Sequence, residues 1–204
     1  MFITFEGLDF SGKSTQAERL VERMQRSTGK TVHFLREPGG TGISERVREL
    51  LLDKRNLAMC DITELLLFAA ARAQLVQEVI RPALARGEIV VCDRFLDSTS
   101  AYQGFGRGIA RETTDGINNA AIGSTIPDVT ILINIPVSEI MVRKERAGIA
   151  FDRMESSGVE FYERVSRGYL VIAEREPKRV QVVDGRGPVE QVAEAVWEIV
   201  ERLM

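Results

Sequence analysis

Gly7-Leu8-Asp9-Phe10-Ser11-Gly12-Lys13-Ser14 is the stretch on which the fold turns. It has the form Gly-x-x-x-x-Gly-Lys-Ser/Thr. With glycine at about 7% of average usage, a chance match in a chain this long is on the order of one in a hundred. Its flanks agree with it. Phe2–Phe5 is an apolar strand candidate that runs into the loop, and beyond it Ala17, Leu20, Val21 and Met24 recur at helical spacing from Lys13 to Arg26. Strand, glycine loop and helix in that order let successive backbone N–H groups curl around one anion, with the positive end of the helix behind them. The loop, Gly7 through Thr15, is therefore a candidate triphosphate cradle. Lys13 is placed to reach the β- and γ-phosphates, and the Ser14 hydroxyl to ligate Mg²⁺.

Further along the chain, strand and helix signals alternate. Gly29 stops the first helix, and Thr31–Leu35 reads as a second strand. Ser44 is a candidate cap for a helix carrying Val47, Leu50 and Leu51. Asp61 or Thr63 is placed to cap a long helix to Arg86, with Pro82 as a potential kink and Gly87 as its stop. Ile89–Cys92 and Val129–Ile135 are continuous apolar runs, as expected of strands buried on both faces. Val180–Val183 is a shorter run, and Val189–Leu203 is an amphipathic closing helix. Five strands interleaved with helices give an α/β fold, a parallel sheet with helices on both faces. Ile89-Val90-Val91-Cys92-Asp93 is an apolar strand ending in an acid, the form in which Asp93 would help hold the Mg²⁺ beside Ser14.

Composition removes other classes. The chain has 204 residues, 44% of them hydrophobic, with two cysteines, one histidine and a formal net charge of −3. That is enough for one domain with a real core, without a disulfide framework. One histidine leaves no Cys/His zinc cluster and argues against a Ser-His-Asp site. The charge balance argues against a nucleic-acid polymer as partner. The longest apolar run, Leu65–Ala71, is far short of the ~20 residues a membrane span needs, and the N-terminus enters a strand directly, so a cytoplasmic protein is expected. The basic residues comprise 22 arginines and 5 lysines, and arginine suits bidentate recognition of phosphate, although base composition is the commoner source of such a skew.

A nucleoside-triphosphate site leaves a small-molecule kinase, a GTPase-type switch or a motor ATPase. No Asn-Lys-x-Asp base-reading motif is present; Asn118-Asn119-Ala120-Ala121 is not one. Three segments downstream of the loop separate the remaining readings. Arg36-Glu37-Pro38-Gly39-Gly40-Thr41 comes after the second strand. Leu65-Leu66-Leu67-Phe68-Ala69-Ala70-Ala71-Arg72 lies in the long helix, and Asp93-Arg94-Phe95-Leu96-Asp97-Ser98-Thr99-Ser100-Ala101-Tyr102-Gln103-Gly104 comes after the third strand. With Phe5-Glu6-Gly7-Leu8-Asp9-x-Ser11-Gly12-Lys13-Ser14-Thr15, these closely resemble the thymidylate kinase family, in order and over essentially the whole chain.

The resemblance implies a P-loop kinase fold with a five-stranded parallel sheet and a small lid segment, about residues 142–158, in one domain spanning 1–204. It implies transfer of the ATP γ-phosphoryl group to thymidine 5′-monophosphate (dTMP) with Mg²⁺, and a homodimer to which the helix near Leu65–Phe68 contributes. By position, Arg94 would hold the acceptor phosphate, assisted by Arg48, and Glu37 would help position that phosphate and a magnesium-bound water. Phe68 would stack on the thymine and Arg72 would reach its O4. Thr99 and Gln103 would bond the base edge, Tyr102 would sit where a 2′-hydroxyl would project, and Asp9 would meet the 3′-hydroxyl. The family's catalytic arginine comes from the P-loop or the lid; here the P-loop position is Phe10, which points to Arg153 first, then Arg146 and Arg143.

The attacking group would be a phosphate oxygen, ionised near neutral pH because the second pKa of such a group is about 6, so no general base is needed. His33, within strand two, is then structural. A related nucleotide kinase with another acceptor, and a non-catalytic nucleotide-gated binding protein, are the alternatives.

Overall fold

The computed structural model describes residues 1–147 and 158–204. Five strands form one sheet: β1 (Phe2–Glu6), β2 (Val32–Arg36), β3 (Ile89–Asp93), β4 (Val129–Asn134) and β5 (Val180–Asp184), in the order β2-β3-β1-β4-β5 with every pairing parallel. β1 and β3 are buried along their whole length, so both are dominated by apolar residues, and β1 buries Thr4 and Glu6 as well. The pleat then divides β1 between two layers. Ile3 and Phe5 face one side, where α1 (Lys13–Thr28) and α9 (Val189–Glu201) bring Ala17, Leu20, Met24, Val196 and Trp197. Phe2 faces the other side, against Phe95, Leu75, Val76 and Ile80.

That second layer contains α2 (Gly42–Leu52), α3 (Asp61–Leu75), α4 (Arg81–Ala85), α5 (Leu96–Thr99) and α6 (Arg111–Ile122); α7 (Val137–Ala147) and α8 (Val159–Arg175) cover the side of β4. The chain moves from β1 out to β2, returns through β3, and then crosses to β4 on the far side. The carboxyl end of β1 is therefore the switch point, where open α/β sheets bind ligands.

Local caps depart from the expectation. Thr41, not Ser44, caps α2: its Oγ1 accepts from Ser44 N–H at 3.1 Å. Ser44 is already inside the helix, where its hydroxyl donates to the Ala71 carbonyl at 2.8 Å and ties α2 to α3. Cys60 occupies the cap position of α3, so neither Asp61 nor Thr63 does. The long helix runs on from Asp61 to Ala85, as expected, but its winding changes on the way. A wide π-helical turn, Val76–Ile80, separates α3 from α4. Pro82, which has no N–H to donate, follows directly on that turn.

Buried charge anchors α5 to the sheet. Arg179 forms a two-pronged pair with Asp97, Nη1–Oδ2 at 2.7 Å and Nη2–Oδ1 at 2.8 Å, and Asp97 is 2% exposed. Thr130 shares the pair, accepting from Arg179 at 2.8 Å, and also bonds Thr4 of β1 at 2.7 Å. Removing one partner strands a buried carboxylate. Arg179→Ala should therefore cost about 3–5 kcal/mol in urea unfolding, and Asp97→Asn in that background should recover part of it. A loss below about 1 kcal/mol would show that the pair does not hold the layer.

Candidate active site

The loop between β1 and α1 needs its glycines at two points. Gly7 has a φ of 140°, and a Cβ there would lie 2.6 Å from the Ile133 carbonyl oxygen. Gly12 has a φ of 90° and precedes α1 without offering a side-chain acceptor, so the first N–H groups of that helix face outward for an anion. Phe10 adopts a φ of 63°, costly for a residue with a side chain, and its carbonyl meets the Arg143 guanidinium at 3.4 Å. Arg143 also reaches Glu139 at 2.7 Å and the Gly185 carbonyl at 3.4 Å, so α7 is drawn against the loop. Arg146, one turn on, is exposed. Arg153 and most of the expected lid segment lie outside the described residues.

Lys13 is buried, its Nζ 3.9 Å from both Asp9 Oδ1 and Asp93 Oδ1. Burial and then Arg94 push its pKa down, against the pull of Asp93, Asp9 and Glu6. Ser14 Oγ donates to Asp93 Oδ2 at 2.5 Å, while Asp93 Oδ1 is buried without a hydrogen-bond partner. The Ser14 hydroxyl and the Asp93 carboxylate, with one oxygen of that carboxylate unsatisfied, fit Mg²⁺, which takes few protein ligands and completes its shell with phosphates and water.

Arg94 leaves β3 with a φ of 71°. Its Nη2 donates to Asp9 Oδ1 at 2.6 Å and to Tyr102 OH at 3.2 Å, and Tyr102 donates in turn to Asp9 Oδ2 at 3.0 Å. Its Nη1 donates to the hydroxyls of Ser98 at 3.0 Å and Tyr169 at 3.2 Å. Burial pushes Asp9 up, but Arg94 and Lys13 outweigh it and hold its pKa at about 2.

Beneath this lies Glu6, fully buried, which sequence reasoning left without a role. Its Oε1 accepts from the N–H groups of Phe95 at 2.8 Å and Ser98 at 3.1 Å. Its Oε2 accepts from the hydroxyls of Ser98 at 2.6 Å and Tyr169 at 2.9 Å. The signal for Glu6 is a carboxylate closing an apolar strand. Tyr169, some 75 residues beyond Arg94, has no local signal at all.

One cavity joins these groups to the rest of the predicted acceptor site. Asp9, Glu37, Arg48, Phe68, Arg94, Thr99, Tyr102 and Gln103 all line it, together with Pro38, Leu52 and Ser98. Arg48 also donates to the Pro38 carbonyl at 3.0 Å. Tyr102 and Gln103 both come from a π-helical turn, Ser100–Gly106.

Arg72 is placed differently. It stands behind the lining, 2% exposed, and donates to Glu37 at 2.7 Å, to Thr99 and Asn118 at 2.9 Å each, and to the Phe95 carbonyl at 3.0 Å. Four of its five N–H groups are thus used, and the fifth is on Nη2. His33 is remote, its Nε2 2.7 Å from Glu88 Oε2.

Glu37 keeps one buried oxygen, Oε1, without a hydrogen-bond partner. Burial pushes its pKa from 4.5 to about 7, although Arg72 pulls the other way. The folded chain therefore holds a proton there that the unfolded chain releases, and this contribution to stability falls as pH rises from about 4.5 to about 7. Glu37→Gln is blind to that change. Its stability relative to the parent should rise by up to about 3 kcal/mol between pH 5 and pH 8 in thermal melts. A gap that stays constant with pH would contradict the shift.

Comparison with known proteins points the same way. Residues 5–196 match the thymidylate kinase family model. A thymidylate kinase of Pelobacter propionicus is 50% identical over 200 residues, 96% of this chain and 91% of its own. That of Desulforudis audaxviator is 46% identical over 204 residues, 100% of this chain and 91% of its own. A crystal structure of thymidylate kinase from Ehrlichia chaffeensis superposes with a TM-score of 0.81 at 36% identity, covering 98% of each chain. A P-loop at the sheet's switch point, an acceptor cavity beside it and full-length similarity at this level agree: the chain belongs to the thymidylate kinase family.

Proposed function

We propose that the protein phosphorylates thymidine 5′-monophosphate to the diphosphate, using ATP as phosphoryl donor and Mg²⁺. The observation that carries this is the single cavity in which two arginines, a carboxylate–tyrosine pair, an aromatic ring and an amide meet beside the P-loop. A phosphate, a deoxyribose and a pyrimidine need those groups in that order. Ser14 and Asp93 would hold the metal, which neutralises charge on the phosphates when bound.

The chain's own residues then do the alignment. The residue 7–15 loop binds the donor phosphates, and Lys13, buried between two carboxylates, is released to them as they enter. Arg94, already fixed at both ends of its guanidinium, presents its charge to the acceptor phosphate, assisted by Arg48 in the same cavity. An acceptor oxygen bonds to the γ-phosphorus while the γ-phosphorus–oxygen bond to the β-phosphate breaks, leaving ADP. The acceptor is ionised at neutral pH, so no base is required. Glu37, near neutrality, offers its unpartnered oxygen to the acceptor phosphate as either proton donor or acceptor.

Phe68 stacks on the base, and Thr99 and Gln103 meet its edge. The free N–H of Arg72 is assigned to O4, Tyr102 closes the space of a 2′-hydroxyl, and Asp9 meets the 3′-hydroxyl. Arg143, already on the loop, and Arg146 and Arg153 further along the 142–158 lid are the candidates for charge on the transferring group. An arginine in that position is worth about 10³–10⁵ in rate.

The whole chain is read as one kinase domain that works in the cytoplasm, where its two unpaired cysteines suit a reducing medium. It pairs as a homodimer: Ile62 and Leu66 on α3 and Ile43 and Leu50 on α2 are exposed apolar residues on adjoining helices. The test is a panel of nucleoside monophosphates with ATP and Mg²⁺, with ADP and diphosphate product both quantified. Turnover should depend on the acceptor and be highest with dTMP. ATP hydrolysis indifferent to acceptor, or a preference for a purine or cytosine nucleotide, would refute the assignment.

A further inference from the structure

Glu64 is a carboxylate buried to 1% exposure on α3, and the proposed reaction gives it no part. It shares a helix face with Phe68 and Arg72, at i, i+4 and i+8, so it points toward the same cavity from one turn further back. Its Oε1 accepts from Gln103 Nε2 at 2.9 Å. Both of its oxygens accept from Arg107, Nε to Oε1 and Nη2 to Oε2, at 3.2 Å each. Arg107 is itself held, 3.6 Å from Asp61 and over the Phe161 ring at 4.7 Å.

The chemistry of these groups fixes a direction. A carboxylate in an ion pair only accepts, and a guanidinium only donates. The end of the Gln103 amide next to Glu64 must therefore be its NH₂. Gln103 lines the cavity, and among the described residues its Oε1 takes no hydrogen bond from the protein. The amide is thus locked with its carbonyl oxygen turned to the ligand. An acceptor at that point matches the N3–H of thymine and opposes the N3 lone pair of cytosine.

We propose that Glu64 is a specificity-determining positioning residue: by accepting from Gln103 it fixes the polarity of that amide and so selects pyrimidines that donate at N3. This rests on the reading of Gln103 as a contact to the base edge.

Glu64→Gln is the discriminating variant. It keeps the shape but replaces an acceptor-only partner with an amide that pairs with Gln103 in either direction. Dissociation constants for dTMP and dCMP, measured by titration calorimetry, should converge. The dTMP preference should fall by about tenfold, in part through tighter dCMP binding, since a mismatched buried donor or acceptor is a loss of that order. Glu64→Met, which offers no hydrogen bond, should reduce the ratio at least as far; if it does not fold, Glu64→Gln alone decides. A purely structural role would weaken both ligands alike, and an unchanged ratio in folded Glu64→Gln overturns the proposal. Should the unmodified protein bind dCMP as well as dTMP, the base reading itself fails, which this comparison separates from a failure of Glu64.

Discussion

One guanidinium sets the geometry of the carboxyl edge of the sheet. Arg94 sits where β3 ends, with a left-handed backbone that costs on the order of 1–2 kcal/mol for a residue bearing a side chain. The cost is met by Glu6 at the end of the neighbouring strand. Its carboxylate takes the N–H groups of Phe95 and Ser98 and so closes the turn that begins at Arg94. The same carboxylate holds the Ser98 and Tyr169 hydroxyls that receive one side of the guanidinium, while Asp9 of the P-loop receives the other. Strand β1, the phosphate loop, the β3 turn and helix α8 thereby share one hydrogen-bonded lattice. The proposed acceptor subsite is thereby tied to the loop through Asp9.

The same lattice addresses the electrostatic problem of joining two polyanions. Gathering buried cations in a cleft is costly: burial first, and then the charge of Arg94, push the Lys13 pKa down. Asp9 and Asp93 balance them, and burial of so many charges is tolerable only because each is paired. In the proposed reaction the incoming phosphates would take over from those carboxylates as partners of Lys13 and Arg94, which would place positive charge against the transferring group. His33, bound to Glu88 at the opposite end of β2, has no part in this, in keeping with a nucleophile that arrives already ionised.

Sequence made the scaffold legible wherever the signal was local. The P-loop octet, the apolar runs of β1, β3 and β4, and Asp93 at a strand end each announce themselves over a few residues. The caps of α2 and α3 were misplaced because Thr41 and Cys60 stand just outside the apolar periodicity that locates a helix. The π-helical windings at Val76–Ile80 and Ser100–Gly106 leave no periodic trace over so few residues. Family resemblance supplied most of the proposed acceptor residues. The groups that hold them stayed hidden, since Glu6–Tyr169, Glu64–Gln103 and Arg72–Asn118 are pairings across distant segments that only the folded chain brings together.

Arg94 is the group in which acceptor affinity should reside, in a site that the donor loop helps to build. Binding of dTMP and of a non-hydrolysable ATP analogue to Arg94→Ala tests this most directly. A charge-assisted contact to phosphate is worth about 1.5–3 kcal/mol, so dTMP affinity should fall by roughly 10- to 150-fold, while the ATP analogue still binds within a few-fold of the parent. Undiminished dTMP affinity in a variant that still binds the analogue would contradict it.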